Sequence, residues 1–461
     1  MEYTNLPPPN ARASDEISQT NQYETNPRAA DLVIIGGGCA GMAAAISARK
    51  NGIDDILILE REHSLGGVLR QCIHNGFGIH RFRSDLTGTE YALRFSEEVD
   101  CLNILYYTNT SVLSITKNHT ITAVSPHYGV IVIHAKAIIL AMGCRERSRG
   151  ALSIPGTRPA GIFSAGTAQR YMNLEGYKVG RKIVILGSGD IGLIMAREFV
   201  MEGCEVKAVV EIMPYSSGLI RNIQQCLTDF DIPIHYRTTV TRIEGTDRIT
   251  GVWLSQIDTA NRPIAGTERL IACDTLVLSV GLIPENELGI AAGIELSSDT
   301  GGAVVDDSYQ TDVPGIFACG NVLHVHDLVD YVSTESEAAG ISAAKYIQNG
   351  FESYPVIHVI AGLGVGGIIP QNIRLTKMSD PVTLQFRTKQ RFKDARIQIS
   401  SNVQPLLVSD RKIITPGEMC EITLDRAKIN SDIYIDIFEN KRTDENNAPS
   451  NYKFSAEVIV S

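Results

Sequence analysis

Two glycine runs carry the spacing in this chain that points most directly to chemistry. Gly36-Gly37-Gly38-Cys39-Ala40-Gly41 follows the apolar run Leu32-Val33-Ile34-Ile35, and Glu60 stands 24 positions after Gly36. Gly187-Ser188-Gly189-Asp190-Ile191-Gly192 follows Ile183-Val184-Ile185-Leu186, and Glu211 again stands 24 positions after the first glycine. In such a run the first glycine permits a tight turn, the second lets backbone approach a pyrophosphate, and the third lets helix and strand pack closely. The helix that opens there offers free N–H groups and a positive dipole end to phosphate. The terminal acid accepts hydrogen bonds from ribose hydroxyls. Glycines that served only turns would not bring strand, helix and acid together twice. Glu211 suits a free 2′-hydroxyl and repels a 2′-phosphate, and no arginine occurs within Ile212-Met213-Pro214-Tyr215-Ser216, which favours NAD over NADP. Lys207 and Arg221 are the cations that could approach from elsewhere.

The elements that must hold these runs repeat as well. Each run lies between two apolar strands, the second being Ile56-Leu57-Ile58-Leu59 in one copy and Val206 to Val210 in the other, with a helix from about Ile191 to Glu202 in the latter. Each copy later closes on a strand ending in glycine: Ala137-Ile138-Ile139-Leu140-Ala141-Met142-Gly143, and Thr275-Leu276-Val277-Leu278-Ser279-Val280-Gly281. Continuous apolar strands alternating with helices predict parallel sheets covered on both faces. The expected fold class is therefore α/β, with two Rossmann-like units. Beyond Phe351, alternating runs such as Val382-Thr383-Leu384-Gln385-Phe386 and Ile433-Tyr434-Ile435-Asp436-Ile437 predict a small β-rich domain.

Composition bounds the function. A chain of 461 residues is too long for one ordinary core. Its 44% apolar and 20% charged residues are the balance of a globular protein. A net charge of −10 argues against general nucleic-acid or anionic-membrane binding, because phosphate neutralisation needs clustered Lys and Arg. No apolar run reaches bilayer length, and residues 1–30 lack an apolar secretory core, so a flexible tail and a cytoplasmic location are expected. The nine cysteines are odd in number and scattered, with no Cys-x-x-Cys, which is not the pattern of a disulfide framework.

From about Asp31 to Gly350 the arrangement resembles the two-dinucleotide-binding-domain flavoproteins, the superfamily of thioredoxin and glutathione reductases, in which an NAD(P)H domain is inserted into an FAD domain. Gly66-Gly67 resembles the glycine pair that approaches FAD. Ala141-Met142-Gly143 and Val280-Gly281 resemble the strand ends of the two domains, and Thr311 to Asn321 resembles the second FAD motif. That motif usually ends Gly-Asp; here it ends Gly320-Asn321, where the Asn carbonyl is expected to accept the ribityl hydrogen bond without the charge.

The resemblance implies FAD on Gly36, Gly38, Cys39, Ala40, Gly41, Glu60, Gly66, Gly67, Ala141, Gly143, Gly320 and Asn321. It implies NAD on Gly187, Gly189, Asp190, Ile191, Gly192, Glu211 and Gly281. It also implies domains at 31–155 and 284–350 for FAD, 156–283 for NAD, and 351–461 for the β-rich part. No dithiol follows Ile154-Pro155-Gly156, and Cys72 has Phe77 where a partner cysteine would sit, so disulfide reduction is not expected.

The runs Gln71 to Gly78, Gly143 to Arg147 and Gly320 to Asp330 are similar to a narrower subgroup. Its members are NAD(P)/FAD oxidoreductases that accompany glycerol-3-phosphate-dehydrogenase-like flavoproteins or belong to proline and opine dehydrogenase complexes. This implies hydride transfer between NAD(H) and FAD, with electrons exchanged with a partner flavoprotein dehydrogenase. Two alternatives stand beside it: a stand-alone NADH oxidase or peroxidase using Cys72, and a non-enzymatic assembly subunit with structural nucleotides.

Cys72 needs a cationic neighbour to become a thiolate, and His74 is the candidate. Otherwise it is an ordinary loop cysteine. His324 is a candidate for the flavin site. His324 and His326 with Asp327 also suggest a metal, but alternate histidines diverge on a strand, and no metal is expected. Arg145, Glu146 and Arg147 read as a surface ion-pair group, and Asp190 as a carboxylate at a helix start.

Overall fold

The computed structural model describes residues 28–376, 380–402 and 404–439. They fall into two compact units that meet in sequence at Tyr354/Pro355.

The first unit contains both glycine runs. Its larger sheet has a parallel core in the spatial order Leu105–Tyr107, Ile56–Leu59, Arg28–Ile35, Gly129–Leu140, Ile316–Ala318. The central strands Arg28–Ile35 and Ile56–Leu59, and the second half of Gly129–Leu140, are buried on both faces, with Leu32, Ile34, Ile58 and Ile139 packed on the helix side. The strand Gly129–Leu140 serves two sheets' worth of pairing. Its second half lies between Arg28–Ile35 and Ile316–Ala318, while its first half turns back on Thr120–Ser125, which pairs with Ser111–Ile115. The first strand begins at Arg28, with Arg28, Ala29 and Ala30 paired to Ile133, His134 and Ala135. Those three residues were expected in the tail; the remainder of the expected tail lies outside the described residues.

The helix Cys39–Lys50 runs under this sheet and meets the long helix Val329–Asn349. Small residues allow the approach: a Cβ on Gly340 would stand 2.3 Å from the Ala44 carbonyl oxygen. Ser47 Oγ also donates to the Glu337 carbonyl at 2.9 Å. That long helix carries polar Asp330, Ser333, Glu335 and Ser336 on its buried face.

The second sheet is wholly parallel, in the order Ile162–Ser164, Thr275–Leu278, Lys182–Leu186, Glu205–Val210, Ile234–His235. A three-stranded antiparallel meander, Thr238–Gly245, Ile249–Gln256 and Arg269–Ala272, accompanies it. This nucleotide-binding unit is inserted into the first, because Ile316–Ala318 returns to the first sheet after it. The two connecting segments pair as antiparallel strands, Cys144–Glu146 with Leu282–Pro284.

The second compact unit is all β. One sheet has the order Asn372–Arg374, Val356–Ala361, Ile433–Glu439, Phe392–Ser401, Gln404–Ile414; the other has Val365–Ile369, Val382–Thr388, Cys420–Leu424. Leu384, Phe386, Ile397, Ile399, Ile435 and Ile437 fill its core. Leu384, Phe386, Ile435 and Ile437 are the inward positions of the two alternating runs read in the sequence.

Candidate functional site

The first glycine run forms a turn that no side chain would fit. Gly36 has φ +108°, and a Cβ there would stand 2.4 Å from the Ala141 carbonyl oxygen. A Cβ on Gly41 would stand 1.9 Å from the Gly36 carbonyl oxygen, so the helix can begin close against the turn only with glycine at this position. Gly38 caps the helix Cys39–Lys50 and differs in kind: a Cβ there would meet nothing nearer than Gly67 Cα at 3.9 Å. Gly66 and Gly67 bring a second stretch of bare backbone against it, and a Cβ on Gly67 would lie 3.0 Å from Gly38 Cα. Gly143, at the end of the neighbouring strand, has nothing within 4 Å of its Cβ position.

Glu60 closes this cradle from below. Its carboxylate is buried, and one oxygen accepts the Gly37 N–H while the other accepts the Glu62 N–H, each at 2.7 Å. A carboxylate offers about four acceptor positions, so about two are left for ribose hydroxyls.

The second run repeats the geometry. A Cβ on Gly187 (φ +98°) would stand 1.9 Å from the Ser279 carbonyl oxygen, and one on Gly192 would stand 2.8 Å from the Ser279 side chain. Gly189 caps the helix Asp190–Met201 and is open to 3.8 Å, and Gly281 is open beyond 4 Å. Glu211 is buried and accepts the Ser188 N–H at 2.9 Å, the Ser188 hydroxyl and the Met213 N–H at 2.8 Å. Asp190, read as a carboxylate at the helix start, has a defined partner set. Its Oδ1 accepts the Leu219 N–H at 2.8 Å and the Asn222 amide at 2.6 Å, which ties the following loop to the helix; Ile191 is half-buried beside it. Lys207 pairs with Glu205, and the Arg221 guanidinium lies 3.4 Å from the Cβ position of Gly76 in the first nucleotide unit. The backbone N–H of Arg237, a residue sequence reasoning did not weigh, donates to the Met213 carbonyl at 3.2 Å beside the Glu211 loop.

Gly320-Asn321 lies between the first helix and the strand end of that cradle. A Cβ on Gly320 would stand 2.7 Å from Ala40 Cβ, and Asn321 Nδ2 lies 3.7 Å from Cys144 Sγ, next to Gly143. Asn321 Oδ1 accepts the His326 N–H at 3.0 Å and faces His326 Nδ1 at 3.2 Å. Both lone pairs of that oxygen are engaged. The Asn carbonyl expected to meet the ribityl chain therefore faces away, and the side of the amide left over is its nitrogen, a donor.

His324 and His326 do not diverge. Their segment is a 3₁₀ turn over Gly320–Val322 and a bend, not a strand, and the two rings lie 4.0 Å apart. Both Nε2 atoms face Glu335 Oε2, at 2.7 and 3.2 Å, while Glu335 Oε1 accepts the Gly320 N–H at 2.6 Å. Burial alone would push the Glu335 carboxyl up; the imidazoles of His326 and His324 outweigh it and hold it well below the usual carboxylate range. Glu335 had no signal in the sequence, because it stands nine residues from His326 on another element.

Cys72 follows the 3₁₀ turn Gly67–Gln71, and its thiol contacts the Val68 carbonyl at 3.5 Å and Gln169 Oε1 at 3.8 Å. Burial first, then Glu198 and Cys39, pushes the Cys72 thiol up to about 12. His74 does not supply the cation required: burial lowers its basicity, and its ring leans on Phe77 at 5.0 Å. Cys39 is likewise pushed up to about 12 by burial.

The inserted unit docks on this turn through polar ties that sequence reasoning missed. Gln71 Nε2 donates to the Gly166 carbonyl at 3.0 Å and to Gln169 at 3.1 Å, and Asn173 donates to the Gln71 carbonyl at 2.8 Å. Arg170 grips Glu62 with two bonds of 3.1 Å, and Glu146 accepts the Gly166 N–H at 2.8 Å. Arg145 pairs with Glu285 and Glu287 across the connecting strands, the structural role expected of it.

A pair of cradles with buried acids, one inserted in the other's fold, defines a flavin- and nicotinamide-dependent class of oxidoreductase. Residues 30–345 match the family described as pyridine nucleotide-disulphide oxidoreductase, and the chain belongs to that family. It is similar to a component of the alkyl hydroperoxide reductase of Staphylococcus aureus, at 26% identity over 69% of this chain and 59% of that protein. It is also similar to a component of the opine oxidase of Agrobacterium tumefaciens, at 25% identity over 63% of this chain and 61% of that protein. The chain thus spans about three-fifths of the length of these curated relatives. Among solved structures, thioredoxin reductase of T. acidophilum superposes with a TM-score of 0.56 at 25% identity, covering 69% of this chain and 98% of that one. The family implies FAD and NAD(P), and the open, side-chain-free cradles fit both. No helix among the described residues is long and apolar enough to cross a membrane.

Proposed function

We propose that this chain is an NADH-linked FAD oxidoreductase, located in the cytoplasm, that passes electrons to or from a partner flavoprotein dehydrogenase. The observation that carries the reading is the duplicated cradle. Twice, a helix-capping glycine stands open while the acid below is held by backbone N–H groups on both of its oxygens. FAD, when bound, supplies the acceptor for hydride from the nicotinamide. The residues of the chain bind and orient. Glu60 and Glu211 take the two adenosine riboses, Gly38 and Gly189 admit the pyrophosphates, and the helix starts at Cys39 and Asp190 stabilise their charge. No acid or base is required for hydride transfer itself, so positioning and electrostatics are the contribution of the protein.

Glu211 supports NAD over NADP. Its carboxylate disfavours a 2′-phosphate, and Lys207 is paired with Glu205. The partner assignment is supported by the likeness to a component of an opine oxidase and by the resemblance carried by Gly320 to Asp330. The peroxidatic reading of Cys72 is disfavoured, because a thiol pushed up to about 12 is not a nucleophile at neutral pH. The test is steady-state reduction of an artificial electron acceptor with NADH and with NADPH, alone and with a co-expressed amino-acid- or glycerol-3-phosphate-oxidising flavoprotein. The reading requires NADH to be the better donor and the partner's substrate to replace NADH as the source of electrons. Equal use of NADPH overturns the cofactor assignment, and electron flow unaffected by any such partner overturns the complex.

A further inference from the structure

The cluster around Glu335 has a proton count that the nucleotide cradles do not explain. Asn321 Oδ1 accepts the backbone N–H of His326, which fixes the amide with its oxygen toward the histidine. An amide oxygen has no hydrogen to give, so His326 Nδ1, 3.2 Å away, must carry one. A neutral ring with hydrogen on Nδ1 would turn the lone pair of Nε2 toward Glu335 Oε2 at 3.2 Å. That contact is met only by a carboxyl that donates, whereas both Glu335 oxygens are placed as acceptors, Oε1 of the Gly320 N–H and Oε2 of His324 Nε2. The arrangement is satisfied when His326 carries hydrogen on both nitrogens and Glu335 is a carboxylate, with His324 donating from Nε2. Glu335 Oε1 accepting the Gly320 N–H agrees with a carboxylate. The thiols of Cys319 and Cys144 border the cluster, and burial keeps both in the neutral form, Cys144 being pushed up to about 11.

We propose that Glu335 and His326 form a buried carboxylate–imidazolium pair that clamps Asn321 with its amide nitrogen toward the FAD cradle. His326 and Glu335 are then positioning residues. They present the cofactor with a donor backed by a cation, at the position where the resembling motif has a carboxylate. Such a pair costs desolvation that two hydrophobic residues would avoid. The imidazolium stands between Asn321 and the carboxylate, so the positive end of the pair is on the Asn321 side and favours the more negative, reduced state of a bound flavin. The redox part of this inference rests on the FAD reading above; the protonation state does not.

The experiment is nitrogen NMR of the full-length chain labelled with ¹⁵N-histidine, the His326 signal being assigned by its loss in His326→Gln. At neutral pH the wild type should show hydrogen on both His326 nitrogens, and Glu335→Gln should remove one of them. A His326 ring with a single hydrogen in the wild type overturns the pair, whether or not flavin is bound. In flavin-loaded protein, the midpoint potential of His326→Gln should shift to more negative values. An unchanged potential overturns the electrostatic role while leaving the FAD reading intact, whereas failure of the wild type to hold flavin strikes that reading alone.

Discussion

Each acid below a glycine run has two employers, the loop it braces and the ribose it would hold. Glu211 uses at least three contacts on the loop, from Ser188 and Met213. Replacing it with Gln keeps an acceptor but removes the charge and one acceptor oxygen. Hydrogen bonds to charged groups contribute about 1.5–3 kcal/mol, so kcat/KM for NADH should fall roughly 10- to 100-fold in Glu211→Gln. The value for NADPH should fall less, because the repulsion of its phosphate goes too; a parallel loss for both donors would contradict the assignment. Cys72→Ser should change NADH turnover by less than about twofold, since a protonated, desolvated thiol contributes no nucleophile. A collapse of oxygen-dependent NADH consumption in that variant would restore the peroxidatic alternative. At this scale the sequence was informative where chemistry is local. Both glycine runs and both acids were legible because strand, turn, helix and acid lie within thirty residues. The orientation of Asn321 was not, because it depends on His326 and, through it, on Glu335 from a separate helix.

Elements were legible where one face pattern dominates. The strand Lys182–Leu186 reads as a continuous apolar run because both its faces are covered, Ile183 and Ile185 by the helix Asp190–Met201 and Val184 and Leu186 by the meander residues Val240, Val252 and Leu254. The burial of Asp330, Ser333 and Glu335 on the helix Val329–Asn349 was not legible, because polar residues in sequence look like a solvated stretch. The short helix Ala165–Asn173 holds the inserted unit on the turn Gly67–Gln71, and its Arg170 holds Glu62 well below the usual carboxylate range. A carboxylate depressed in the folded state adds stability that is present above its unfolded value and lost as pH falls through the folded one. The difference in urea stability between wild type and Glu62→Gln should therefore be full above about pH 5 and shrink below it, with the unfolded value near 4.3. Both side chains are partly exposed, so the full difference should be only about 0.5–1 kcal/mol. A difference that grows on acidification would contradict the latch.

At the scale of the molecule, the sequence read correctly as two nucleotide units, one inserted in the other, with a β-rich unit after them. The insertion was legible only through the resemblance, because nothing local announces that Ile316–Ala318 returns to a sheet begun at Arg28. The cradles and their acids all lie before Tyr354, and the second compact unit has its own core of Leu384, Phe386, Ile397 and Ile435. A chain ending at Tyr354 should therefore still bind FAD in a one-to-one ratio, read from its visible absorbance against protein concentration; a colourless, folded truncation would show that the β unit completes the site. The central claim is the passage of electrons from NADH to FAD within this one chain. It is tested most directly by titrating the purified, flavin-loaded protein with NADH in the absence of oxygen while following the visible flavin band. The account predicts that the band bleaches fully with one equivalent of NADH per flavin. A flavin band that NADH leaves unchanged would contradict it and make the nucleotides structural parts of a non-enzymatic assembly component.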